Sequence, residues 1–330
     1  MIAANLWEDR KRKATHREWR ERKECLGEMS QVDGSDHAWF EDRADKCILL
    51  AAIDDATSRV FLRFTEHEDT RNLMQFSRAY MNKFGKPRSF YVDKDSIYIT
   101  NRQPSLEEEL QGKKYAVTQF TRAMEVDLDI KVINAGSPQA KGRVERLFET
   151  LQDRLVKELR LAGISKIEAA NKFLDRTYLA KHNQRFSVPP KNSTDVHREV
   201  GKTKAELDAI FSFQEERVLC NDYTIHWKTR LFQIKEHQPY FLLPRTKVTV
   251  EEWLNGKIKI RHKGKYLKMH EIDPQKIRKP STATKLLPVK PPVVKKLTVP
   301  AANHPWRNYP YGKQQYSSGK TTYRRELVPA

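Results

Sequence analysis

The spacing of apolar residues predicts an open run of strands first and helices later. Residues 31–40 read as a first strand. The run 47–53, rich in Ile, Leu and Ala, suits a strand buried on both faces, and Val60, Leu62 and Phe64 alternate as a third. The turn at 54–58 links the last two into a meander. Leu73, Phe76, Tyr80 and Phe84 then recur at helical spacing, with Gly85 and Pro87 as stop signals. Residues 89–92 form a short strand ending at Asp93, 101–117 a charged surface loop, 120–126 a short helix and 130–133 another strand. The order β-β-β-α-β-α-β, followed by helices, indicates an α/β sheet with helices packed on it.

Beyond this point helical periodicity takes over. Ser137 and Pro138 resemble an N-cap and first helical residue, and Val144, Phe148, Leu151, Leu155 and Leu159 supply an apolar stripe running towards Gly163. Gly142 disfavours helix by roughly 1 kcal/mol relative to Ala, so the regular helix is expected to begin after it. Ser165 and Glu168 have capping-box spacing for a further helix ending near His182. From 216 to 272 the texture changes to short alternating segments with a hairpin signal at Asn255 and Gly256, which predicts a small β-barrel. Trp227 and Trp253 are expected in its core rather than stacked on bases. After Asp273 the chain is rich in proline and lysine and reads as a mostly disordered basic tail.

Charge narrows the function. Lys and Arg number 62 against 43 Asp and Glu, a formal net charge of +19, which favours a polyanionic partner over a merely soluble surface. The three cysteines, Cys25, Cys47 and Cys220, lie too far apart for a CxxC metal pair or a disulfide framework. Histidine and cysteine show no zinc-ligand spacing. No apolar run reaches the roughly 18–20 residues that span a bilayer, and the first seven residues are too short for a signal peptide, so a cytoplasmic protein is expected.

Three acids sit where sheet and helix meet: Asp33 within the first strand, Asp93 at the end of a later one, and Glu145 near the start of the long helix. Most acids at strand ends and first helical turns are caps or dipole partners. Their surroundings are more telling: Gln-Val-Asp-Gly at 31–34, Tyr-Val-Asp-Lys at 91–94, and Ser-Pro-Gln-Ala-Lys-Gly-Arg-Val-Glu-Arg at 137–146. Over residues 28–190 the chain resembles the integrase-core (DDE) transposases of bacterial insertion sequences, relatives of retroviral integrases; 137–146 is the most specific piece. Residues 53–59 resemble that family's second-strand turn, and 183–190 its segment after the last core helix.

The resemblance implies an RNase H-like fold, with Asp33, Asp93 and Glu145 as catalytic residues holding two Mg²⁺ or Mn²⁺ ions. It implies metal-dependent hydrolysis at element ends and strand transfer into target DNA, by a homo-multimer on DNA in the bacterial cytoplasm and nucleoid. Lys94, Lys141 and Arg143 become candidate phosphate contacts, because cations at a helix start are unfavourable unless an anion is near. Glu149, one turn beyond Glu145, is the rival third ligand. Asp54 and Asp55 are read as turn-capping residues.

The expected organisation is a charged linker (1–27), an RNase H-like core (28–190), a helical connector (191–215), a small β-barrel (216–275) and a basic proline-rich tail (276–330). Asp93 and Glu145 are separated by 51 residues, wider than the retroviral type, and the excess falls in the 101–117 loop. Such transposases usually carry helix-turn-helix modules at the front; this chain starts almost at the linker, so a fragment or start-site variant is expected. Two other classes remain: a non-catalytic DNA-binding regulator, and an RNase H-like nuclease, since a fold does not choose its substrate.

Overall fold

The computed structural model describes residues 21–104, 106–110, 116–135, 142–238 and 240–273. Chain contacts divide it into two units, 1–276 and 277–330, and all described residues lie in the first. The expectations for residues 1–20, Ser137, Pro138, Lys141 and the tail fall outside the described residues.

Strand β1 (Cys25–Leu26) leads into β2 (Ser30–His37), β3 (Cys47–Asp54) and β4 (Val60–Thr65), followed by helix α1 (Thr70–Phe84) and strand β5 (Ser89–Val92). Two short helices, α2 (Leu106–Leu110) and α3 (Gln119–Thr121), precede β6 (Lys131–Asn134); α3 continues into a wider π-helical turn over Arg122–Asp127. Then come α4 (Gly142–Leu161), α5 (Ile167–Phe173), a second π-helical turn at Leu174–Tyr178, α6 (Leu179–Phe186), β7 (Asn192–Asp195) and α7 (Lys204–Ile210).

The central sheet has five strands in the order β4-β3-β2-β5-β6. Strands β2, β3 and β4 pair antiparallel, whereas β5 and β6 join in parallel. The expected α/β sheet is therefore present, mixed and flanked by helices. Alternation along β2 places Gln31, Asp33 and Ser35 on one face and Ser30, Val32 and Gly34 on the other. Helix α1 covers the second face: Phe61 of β4 lies 5.3 Å from Phe76, 5.8 Å from Tyr80 and 6.0 Å from Phe84 between ring centroids. Asp69 caps α1 by accepting from the Asn72 backbone N–H. Helix α4 covers the first face, since Gln152 Nε2 reaches Ser35 Oγ at 3.3 Å.

The outer edge of β4 is closed by side chains. Asn183 accepts from Val60 N at 2.7 Å and donates to Val60 O, and Asn171 does the same to Phe64, accepting at 2.8 Å. At the opposite edge Glu125 accepts from Val132 N at 3.2 Å.

Several local expectations change. The first strand ends at His37, because Trp39 and Phe40 are buried from a turn rather than a strand. The Ser165–Glu168 capping box does not form: Lys166 is the N-cap, without a side-chain cap bond, and the helical run continues to Phe186. The 101–117 loop contains α2.

After α7, strands β8 (Ser212–Val218), β9 (Thr224–Trp227), β10 (Arg230–Ile234), β11 (Lys247–Trp253), β12 (Ile258–His262), β13 (Lys265–Tyr266) and β14 (Met269–Ile272) follow. The expected barrel is not closed. These strands divide into two open sheets, β13-β12-β11-β8 and β14-β10-β9, around one core that includes Trp227, Phe232, Val250 and Ile260. Alternating sequence specifies which side chains face inward but leaves open which edges pair. Trp253 is only partly buried, its Nε1 donating to Glu251.

Candidate functional site

The parallel pairing of β2 with β5 extends over Ser30 and Gln31 alone. Beyond those residues the two strands diverge, at the point where the sheet's order reverses, and such a split is where open α/β sheets take their ligands. Asp33 follows on β2, and Asp93 follows the last residue of β5; both are half-buried. Backbone N–H of Asp95 donates to Asp93 at 3.1 Å, holding the strand end in a tight turn.

Within reach of both charges is Tyr98, 3% exposed, whose hydroxyl has no hydrogen-bond partner among the described residues. Burial, then the charges of Glu68, Asp93, Asp33 and Asp95, raise its pKa well above the ordinary phenol value. Four carboxylates therefore act on one buried hydroxyl. Glu68 and Asp95 are the members that the sequence motifs did not reveal. The Glu68 carboxylate lies against the backbone of Gly34, where an added Cβ would come within 2.1 Å of Oε2. A glycine inside a strand often marks such a close approach, and that was the available signal.

Glu145 comes from α4. Glu145 and Gln152 are seven residues apart, just under two helical turns, so they share a stripe to within about 20°. Gln152 touches Ser35, which shares a face of β2 with Asp33 two residues earlier. The Glu145 stripe thus runs along the Asp33 face of the strand. Glu149 lies roughly 40° further round, away from the sheet. Both are exposed.

The basic candidates separate. Lys94 is exposed beside Asp93. Arg143 occupies the opposite flank of α4 from Glu145, about 160° away round the helix. There its Nη1 donates to Asp55 Oδ1, which also accepts from Gln31 Nε2 at 3.0 Å, while Asp55 Oδ2 accepts from Lys23 N at 2.9 Å. Asp54 holds the β3–β4 turn: Oδ1 accepts from Thr57 N at 2.8 Å and Thr57 Oγ1 at 2.7 Å, and Oδ2 from Gly27 N at 2.9 Å. Among the described residues, no three His, Cys, Asp or Glu side chains are close enough together to hold one metal ion as they stand.

On α6, His182 is 5% exposed, and burial, then Arg154, push its pKa down to about 4. An unfolded histidine titrates near 6.5, so between about pH 6.5 and 4 the unfolded chain binds a proton that the folded chain refuses. Folding stability is expected to fall by about 2–3 kcal/mol as pH drops through that window, with no further contribution from this group below it. Urea titrations of wild type and His182→Gln, compared at pH 7 and pH 4.5, measure the effect; equal pH dependence in both would refute it.

Fold and acids define a mixed α/β domain with carboxylates gathered where its antiparallel and parallel halves meet. No protein-family model matches the chain. It is 35% identical over 274 residues to a protein named as a transposase, y4bF, of Sinorhizobium fredii (strain NBRC 101917 / NGR234), covering 83% of this chain and 58% of that one. It is 29% identical over 312 residues to the transposase for insertion sequence IS1202 of Streptococcus pneumoniae, covering 92% and 63%. By sequence the chain is thus similar to these two bacterial transposases, and it spans less than two thirds of the length of either.

Among solved structures, the HTLV-2 integrase catalytic core domain in complex with magnesium (trimeric form) is 16% identical, at a TM-score of 0.33, over 45% of this chain and 82% of that one. The simian T-cell lymphotropic virus intasome in complex with PP2A regulatory subunit B56 gamma is 14% identical, at 0.38, over 77% and 82%. No helix among the described residues is long and apolar enough to cross a membrane.

Proposed function

We propose that the chain is the catalytic part of a DDE-type DNA transposase, a polynucleotidyl transferase that hydrolyses a phosphodiester at an element end and joins the freed 3′-hydroxyl to target DNA. The observation that carries this reading is the placement of Asp33 and Asp93 on either side of the split between β2 and β5, with the Glu145 stripe of α4 on the Asp33 face. The named relatives support it over the regulator and nuclease readings.

Asp33, Asp93 and Glu145 are the residues that would hold two divalent ions. The donor set fits: it is all carboxylate oxygen, the type that Mg²⁺ and Mn²⁺ prefer, and Tyr98 offers an orphaned hydroxyl beside it. When bound, a metal pair activates an attacking oxygen and stabilises a leaving one, so no protein nucleophile is required. The chain's own part is to fix the acids on two rigid strands and a 20-residue helix, and to bring DNA to them with its positive charge. Lys94, Lys141 and Arg143 belong to that phosphate-binding set.

In this reading 28–190 is the RNase H-like core, 216–275 a small β domain and 276–330 a basic tether. Copies assemble on paired element ends, in the bacterial cytoplasm and nucleoid. The test is a strand-transfer assay with Mg²⁺ or Mn²⁺ and DNA from the gene's own borders. Metal-dependent joined products are expected. Binding of the ends without any cutting would favour the regulator, and cutting without end preference the nuclease.

A further inference from the structure

On the Arg143 flank of α4 lies a cleft of about 200 Å³, lined by Arg22, Ser58, Arg143, Arg146, Thr150 and His182 among others. At about 30 Å³ per water it has room for a phosphate group and its hydration. Three guanidiniums line it, and no Asp or Glu is among its described lining residues; Asp55, to which Arg143 donates, also accepts from Gln31. Arg22 donates to Ser58 Oγ at 2.8 Å and, at 3.4 Å, to the carbonyls of Asp55 and Ala56. Among the described residues neither Arg22 nor Arg146 has a carboxylate partner.

A second observation is independent of charge. His182 lines this cleft, and its buried Nδ1 has no hydrogen-bond partner among the described residues. A buried polar atom left unsatisfied costs about 1–3 kcal/mol unless something fills the site. A phosphate oxygen would satisfy it by accepting from the Nδ1–H tautomer, and guanidinium forks match the remaining oxygens.

We propose that this cleft binds a DNA backbone phosphate other than the one that is cut. The inference rests on the transposase reading and extends it. Helix α4 is about 10–12 Å thick with its side chains, so one phosphate cannot touch both flanks. The helix thus divides DNA contacts between a catalytic flank carrying Glu145 and a holding flank carrying Arg146.

The experiment uses the full chain with two probes: a short fluorescent DNA duplex titrated over a salt series, and inorganic phosphate followed by its thermal shift. Arg22→Ala and Arg146→Ala are each expected to weaken duplex binding about 5–20-fold, to lower the log–log salt slope by about 1, and to reduce the phosphate shift. Lys166→Ala, an exposed cation before α5, serves as a control and should match wild type. Arg146→Gln, with an unchanged melting temperature, separates charge loss from misfolding. Folded variants with wild-type affinity, slope and phosphate shift would overturn the cleft while leaving the transposase reading intact. A wild-type chain that takes phosphate through Arg146 yet binds no DNA would overturn that reading, and the DNA occupant with it.

Discussion

Asp33→Asn, Asp93→Asn and Glu145→Gln are each expected to lower metal-dependent cleavage and joining by about a thousandfold or more, roughly 4 kcal/mol of barrier. The changes are nearly isosteric, so the fold should survive; each removes an anionic oxygen that a hard divalent ion prefers. DNA binding without metal should persist or tighten, because Asp33, Asp93, Glu68 and Asp95 lie close enough together to act on a single hydroxyl and repel phosphate in common. Glu149→Gln is the internal control. Its side chain is turned further from β2 than Glu145, so near wild-type rates are expected. Inactivation by Glu149→Gln with activity retained in Glu145→Gln would reverse the assignment of the third acid. Full activity in all three triad variants would end the catalytic proposal.

The largest effect on stability is expected from Asp55→Ala. The Asp55 side chain is fully enclosed and receives Arg143, Gln31 and the backbone N–H of Lys23. Removing it takes from the Arg143 guanidinium, 21% exposed, the buried carboxylate it donates to, and from Gln31 and Lys23 an acceptor. Breaking one side of a buried pair typically costs about 3–5 kcal/mol, and that loss should appear as a lower urea midpoint with an unchanged slope. Asp153→Ala supplies the contrast. It removes an exposed pair with Lys157 one turn away on α4, for which no resolvable change of urea midpoint is expected. A loss below about 1 kcal/mol in Asp55→Ala would refute the buried-pair account.

Much of the core was legible because its segments are long or strictly periodic. The two-sided burial of β3 shows in an unbroken apolar run, and the face of α1 in Leu73, Phe76 and Tyr80. What escaped depends on distant parts of the chain. Trp39 and Phe40 look like strand residues, yet they fill the core from a turn beyond His37. Helix α2 is five residues with three glutamates and carries no apolar stripe to announce it. Glu68 lies in an ordinary polar loop and acquires meaning only from Gly34, a contact that no local pattern encodes. Asp33, Asp93 and Glu145 are proposed from the motifs around them; what sets Glu145 along β2 is the contact of Gln152, a residue of no apparent note in sequence.

The side-chain amides on β4 bear on how copies of this chain tolerate being crowded together. An open sheet normally ends in a row of bare peptide groups, a template on which another molecule can extend the sheet and seed aggregates. Here Asn183 and Asn171 imitate the missing neighbour by giving Val60 and Phe64 both a donor and an acceptor, and Glu125 occupies Val132 on the far side. A newcomer must break those bonds before it can make its own. Sheet extension through the core is thereby disfavoured at both margins, and copies can be crowded together without zipping into one another.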